Sequence, residues 1–381
     1  MKALAAGVML MALSLPAAAG VRLEPVAFSD LSGWAADDHQ AALAAFRRSC
    51  AETVNEGTSF ARPVAFGGTR ADWAAACAAG ATAIAARHFF ETAFRAFRVR
   101  DPNRPEGLFT GYYEPEVRAS RRATREFSVP VHAKPDDLVA FDPRTEKRLG
   151  LRYGRKVRGR ALPYFTRREI DEGALAGRGL EIAWLADAAD LFFMQVQGSG
   201  RLRFADGTVT RLAYAAKSGL PYTGIGGVLA ERGHIPRAGL SMQAIRRWMM
   251  QNPAEARALM WQNRSYVFFR EVPLGDASLG APGAQHVALT PRRSLAVDRR
   301  FWRFGMPVWL DTTAPLPAGM KPFRHLLIAQ DTGSAIIGAA RGDVYWGWGP
   351  EAEITAGGMK SEGAVTVLLP RSLAKRLRPM P

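Results

Sequence analysis

The spacing of apolar positions changes period along this chain, and the changes divide it. Ala42, Leu43, Phe46 and Cys50 recur at three- and four-residue intervals, which predicts a helix over 38–54. Thr69 is an N-cap for a second helix over 70–79. A third is expected over 82–99, with Phe89, Phe90, Ala93, Phe94 and Phe97 crowding one side as core, before the turn signal Asp101-Pro102-Asn103. The period then drops towards two. Gly107-Leu108-Phe109-Thr110-Gly111-Tyr112-Tyr113-Glu114-Pro115 predicts a short aromatic strand whose internal glycine admits a close neighbour.

From 117 to 156 the chain is rich in Arg, Lys, Pro and Asp with little periodicity, as at the start of a new domain with a solvated basic face. Residues 192–202 predict a strand that turns at Asp206-Gly207 into a second strand over 208–214. In such a strand Gln195, Gln197 and Ser199 share one face, which could hydrogen-bond sugar hydroxyls or be a plain polar edge. A glycine-rich loop, 221–227, leads into a short helix; Ser241 caps another over 242–251, and Pro253 opens a third. After this come short strands only, at 266–269, 287–289, 295–298, 307–310, 326–329, 335–338 and 343–348. That spacing predicts a β-barrel or sandwich. The expected plan is a helical N-terminal part with one strand (20–115), an inserted domain (116–265) and the remaining barrel strands (266–381).

In the last of these strands Asp343, Tyr345 and Gly347 share one face and Val344, Trp346 and Trp348 the other. Asp331 ends the neighbouring 326–329 run. Two carboxylates therefore sit near each other among glycines and aromatics, a composition suited to sugar rings. Taken one at a time, either aspartate is better read as a turn cap.

Composition narrows the partners. A chain of 381 residues with 48% hydrophobic content can bury a core in two domains, or in one fold with an insertion. The net charge of +16 favours a polyanionic partner or an anionic membrane surface. Nucleic acid is disfavoured because residues 1–20 carry one lysine, a short apolar run and Ala17-Ala18-Ala19, the pattern of a cleaved signal peptide over 1–19. A periplasmic protein is expected, with no lipid-bearing cysteine near that cut and outer-membrane association left open. Cys50 and Cys77 are the only cysteines, so a disulfide or two buried thiols would account for them. Six scattered histidines offer no metal-ligand spacing, and no glycine motif matches a phosphate or dinucleotide loop, so no metal or cofactor is expected.

Five stretches, in order across 107–349, resemble the lytic murein transglycosylase A family. They are Phe109-Thr110-Gly111-Tyr112-Tyr113 with Pro115; Val196-Gln197-Gly198-Ser199-Gly200; Tyr266-Val267-Phe268-Phe269; Leu289-Thr290-Pro291 with Ala296-Val297-Asp298; and Asp331 with Gly333, Ala335 and Ile336, followed by Gly342-Asp343, Tyr345 and Gly347. The resemblance implies a mainly β fold with helices, a double-psi β-barrel interrupted by a second β-rich domain, with glycan in the groove between them. It places the acid/base on Asp343 and Asp331 beside it, with Asp298 completing a three-aspartate domain. Thr110, Tyr112, Gln197, Ser199, Tyr222 and Tyr345 would meet the substrate. The implied reaction is cofactor-free, non-hydrolytic cleavage of peptidoglycan by a monomer, through one aspartic acid whose pKa must be raised to serve at neutral pH. A non-catalytic glycan-binding barrel and a two-carboxylate hydrolase remain as alternatives.

Overall fold

The computed structural model describes residues 20–54, 60 and 63–377, so the expected signal segment lies outside the described residues. Strand β1 (Arg22–Val26) is followed by helices α1 (His39–Val54), α2 (Arg70–Thr82) and α3 (Ala86–Ala93). A Cys50–Cys77 disulfide joins α1 to α2. The long third helix expected over 82–99 does not form: α3 ends at Ala93 and Phe94–Arg100 is strand β2. Its phenylalanines are core, as expected, but the backbone of 94–100 is extended because β2 finds ladder partners on both sides, Phe97 pairing with Pro25 and with Val367. Tertiary pairing overrides local spacing here.

Strand β3 (Gly107–Glu114) runs through Pro115 directly into β4 (Glu116–Ser120), which starts a second unit. That unit continues through β5 (Val129–His132), β6 (Val139–Ala140), α4 (Pro143–Leu149), β7 (Tyr153–Val157), β8 (Arg160–Leu162), α5 (Arg167–Asp171) and β9 (Glu181–Leu185). It ends with α6 (Ala188–Gln197), β10 (Ser199–Arg203), β11 (Val209–Lys217), α7 (Ile225–Glu231), α8 (Met242–Gln251), α9 (Pro253–Gln262) and β12 (Val267–Val272). The strand expected from 192 is therefore a helix up to Gln197. Its end signals are present in the sequence: Asp187 accepts the Ala189 N–H at one end, and Gly198, at φ +85°, closes the other. Strand β12, expected with the barrel, pairs with β11 instead. These strands make a sheet in the order β12-β11-β10-β4-β9-β5, and a single bridge from Ala133 to Phe269 links its outer strands.

The chain then returns with β13 (Ser294–Val297), β14 (Pro307–Leu316), β15 (Gly319–Asp331), β16 (Arg341–Trp348), α10 (Pro350–Gly358), β17 (Lys360–Pro370) and α11 (Arg371–Arg376). The double-psi barrel is a closed ring of six strands, β17-β14-β15-β13-β16-β3, with β3 pairing back to β17 and β2 and β1 extending the sheet beyond β17. Two pairings, β13 with β15 and β16 with β3, are parallel. Residues 335–338 form turns rather than a strand, and 287–289 contributes one bridge, Pro282 with Ala288. The barrel core of Trp309, Leu326, Leu327, Ile328, Val344 and Val367 is continuous with Phe46 and Phe90 of the helices.

At the crossing between units, Glu114 is fully buried and binds two buried arginines. Arg201 of β10 reaches it at 2.9 Å and Arg211 of β11 at 2.7 Å. Further N–H groups of the two guanidiniums donate to the carbonyls of Leu274, Ala277 and Leu279. A buried carboxylate satisfied this fully fixes how β3 leaves the barrel.

Candidate active site

Strand register builds the site. Ala296 of β13 lies opposite Asp331 on its β15 side and opposite Asp343 on its β16 side. Asp343 in turn lies opposite Thr110 of β3. Asp331, Ala296, Asp343 and Thr110 thus form one row around the barrel, and the two aspartate backbones are two strand spacings apart, about 10 Å. The alternation expected for β16 holds over its first half: Val344 and Trp346 enter the barrel core, whereas Tyr345 packs with Tyr112, Ala296, Leu289 and Ile336 on the site side. It fails at Trp348, because a bulge at Gly347 (φ +96°) turns that indole out onto Arg201, 4.0 Å away.

The two carboxylates are held differently. Asp331 Oδ1 accepts the backbone N–H groups of Ala284 and Thr332, both at 2.9 Å, and Oδ2 accepts the Tyr112 hydroxyl at 2.9 Å. Gly283 permits the first of these contacts, since a Cβ there would stand 2.8 Å from the Gln330 carbonyl and 3.3 Å from Asp331 Cγ. Asp343 Oδ1 accepts the Thr110 hydroxyl at 2.5 Å, and that hydroxyl oxygen accepts Arg341 Nη2 at 2.7 Å. No protein group among the described residues donates to Asp343 Oδ2, which is not sealed from the groove. Burial raises the pKa of both acids. For Asp343 desolvation outweighs the opposing pull of Arg341 and Thr110, Asp331 adds repulsion, and the result is about 6.

These groups lie in a groove of about 1520 Å³ whose walls come from both units. Thr110, Tyr112, Gln197, Ser199, Tyr222, Asp331 and Asp343 all line it. Gln197 ends α6 and accepts the Tyr113 N–H at 3.0 Å, and Tyr222 is 40% exposed on its loop. Gln195, expected on the same face as Gln197, lies on a helix and is buried; its amide oxygen holds the buried Arg167 at 2.5 Å. Tyr345 does not reach the groove: it is fully buried, its hydroxyl packed where Gly280 leaves space, and it supports the Tyr112 ring at 5.2 Å. Asp298 also differs from the other two aspartates, since Arg300 and the Gly338 N–H occupy it and keep its pKa low. Arg341 was not foreseen. It begins β16 and is 9% exposed.

Fold and site together define a groove between a closed six-stranded barrel and an inserted sheet unit, lined by two carboxyls of raised pKa. The family model described as the MltA specific insert domain matches residues 108–270, and that of the 3D domain matches 293–369. The crystal structure of a membrane-bound lytic murein transglycosylase from Agrobacterium tumefaciens has 37% identity and a TM-score of 0.84, covering 93% of this chain and 99% of that one. That of E. coli MltA with bound chitohexaose has 32% identity and a TM-score of 0.59, covering 75% and 77%. The Vibrio cholerae membrane-bound lytic murein transglycosylase A is 34% identical over 263 residues, covering 68% of this chain and 64% of that protein. The chain thus spans just under two thirds of that curated relative. It belongs to the MltA family of lytic murein transglycosylases.

Proposed function

We propose that this protein is a lytic transglycosylase acting on peptidoglycan. It cleaves the β-1,4 bond between N-acetylmuramic acid and N-acetylglucosamine without water and leaves a 1,6-anhydro-muramic end. Asp343 is its single acid/base. The observation that carries this reading is the state of Asp343: half-buried at the groove floor, one oxygen fixed by Thr110, the other open, with a pKa of about 6. Such a carboxyl holds a proton near neutral pH and can give it up.

In the first step the Asp343 proton passes to the glycosidic oxygen as the C1–O bond breaks. The carboxylate left behind then takes the proton of the C6 hydroxyl as that oxygen bonds to C1. The internal nucleophile is already held near C1, so a second catalytic carboxylate is not required. Asp331 supports this division. Donors occupy both of its oxygens, which suits a fixed charge beside Asp343 better than an attacking group. Thr110, Tyr112, Gln197, Ser199 and Tyr222 are the proposed groove contacts, and the cell envelope is the proposed location. The two relatives named above as membrane-bound accord with that, while no helix among the described residues is long and apolar enough to cross a membrane.

The test is mass spectrometry of murein digested by the protein. Anhydro ends, lighter than reducing ends by one water, are expected; reducing ends would make it a hydrolase, and no release would leave a binding barrel. Asp343→Asn should abolish turnover while retaining glycan affinity, and substantial remaining activity would reject the assignment.

A further inference from the structure

The groove wall built by the inserted unit carries cations that the acid/base chemistry leaves unused: Lys134, Arg152, Lys217 and Arg270. Lys217 is the last residue of β11, and its ammonium donates to Ser334 Oγ at 2.8 Å. Ser334 lies three residues past Asp331 on the barrel side, so this bond spans the groove next to the carboxylates. Burial and the nearby Arg152 both lower the Lys217 pKa. Among the described residues no carboxylate lies within ion-pair distance of Lys217 or Arg152. Glu271 on the same wall is taken by Arg121 in a two-pronged pair. Tyr153 and Tyr214 line the groove beside these cations, and the Arg152 guanidinium stands 5.5 Å from the centre of the Tyr153 ring.

A half-buried ammonium satisfied by one neutral hydroxyl, with an unpaired guanidinium behind it, is a positive site awaiting an anion. The sugar rings of the proposed substrate bring no charge there; the carboxylates of its peptide stems do. We propose that Lys217, backed by Arg152, recognises a stem carboxylate of murein and exchanges Ser334 for it as the substrate enters. Arg152 is exposed and supplies field rather than geometry. This inference rests on the murein reading.

The test uses soluble murein fragments of equal glycan length, with stem carboxylates free or converted to primary amides. The wild-type protein should favour the free form by about tenfold in kcat/KM, the scale of one hydrogen bond between charged groups. Lys217→Met should bring that preference close to one, and Lys217→Arg should keep most of it. Ser334→Ala leaves the ammonium in place without its internal partner, and should keep or increase the preference. A wild-type preference near one, or one that Lys217→Met leaves intact, overturns the inference while the enzymatic function stands. A preference that falls in Ser334→Ala also overturns it, because the serine would then be part of the recognition. Failure to cleave either form removes the murein reading, and this inference with it.

Discussion

Replacing Asp343 by Asn should stabilise the fold at neutral pH while abolishing turnover. The raised pKa means that the folded protein binds the Asp343 proton more tightly than the unfolded chain does, about 6 against a model value of 3.8. As pH rises from 3.8 through 6 the folded state must give up a proton it holds well, so wild-type stability is lost across that window and the loss is complete above it. About two pKa units at 1.36 kcal/mol each set a ceiling near 3 kcal/mol. The groove-side oxygen is open to water, which brings the expected gain down to about 1–3 kcal/mol. Asparagine keeps an oxygen for the Thr110 hydroxyl and carries no charge to desolvate. Urea unfolding of both proteins should therefore give similar stabilities at pH 3.5 and a more stable variant at pH 7.5. An equal difference at both pH values, or a variant less stable at pH 7.5, would refute the account of this carboxyl.

The same charge balance governs rate. With Asp343 as the acid, kcat/KM for murein should decline as pH rises through about 6, and Arg341→Met, by removing the cation that opposes the raised pKa, should move that decline to higher pH; an unmoved profile would exclude the Arg341–Thr110 connection. Glu114→Gln would leave Arg201 and Arg211 buried without a countercharge and should cost about 3–5 kcal/mol in urea unfolding. A loss below about 1 kcal/mol would show that the two guanidiniums are adequately held by the Leu274, Ala277 and Leu279 carbonyls.

How much of this was legible in the sequence depended on whether the signal was local. The closeness of the two carboxylates was legible, because Asp331 and Asp343 end and begin β runs, but the strand between them was not: β13, with Ala296, separates β15 from β16. The β3 motif was also legible, glycine included: a Cβ at Gly111 would stand 2.6 Å from Trp346 Nε1 and 2.7 Å from Ala356 Cα. The stretch 192–197 was misread because Phe192, Phe193, Met194 and Val196 are apolar enough for either element, and the deciding signs, Asp187 and Gly198, lie outside it. Strand β2 could not be found locally at all, since only its pairing with β1 and β17 distinguishes it from a continued helix. Lys217 and Arg341 were missed for a related reason: each is one basic residue among 51, and only the fold shows that neither meets a carboxylate directly among the described residues.

The register of the barrel makes Asp331 and Asp343 near mirror positions about Ala296, yet their surroundings separate them chemically. Burial raises both. Around Asp331 the protein supplies three donors, two of them backbone N–H groups that cannot move away, and these oppose the rise without reversing it. Around Asp343 it supplies one hydroxyl, and it keeps Arg341 one group removed, acting through Thr110. A direct bidentate contact from Arg341 would hold Asp343 ionised and spoil it as an acid. With Thr110 between them the cation still orients the carboxyl, because the Thr110 oxygen accepts from Arg341 and its proton goes to Oδ1. That leaves Oδ2 as the oxygen on which a proton faces the groove. On the proposed reading, the placement of one threonine, set by the parallel pairing of β3 with β16, leaves Oδ2 as the Asp343 oxygen free to carry a proton towards the groove.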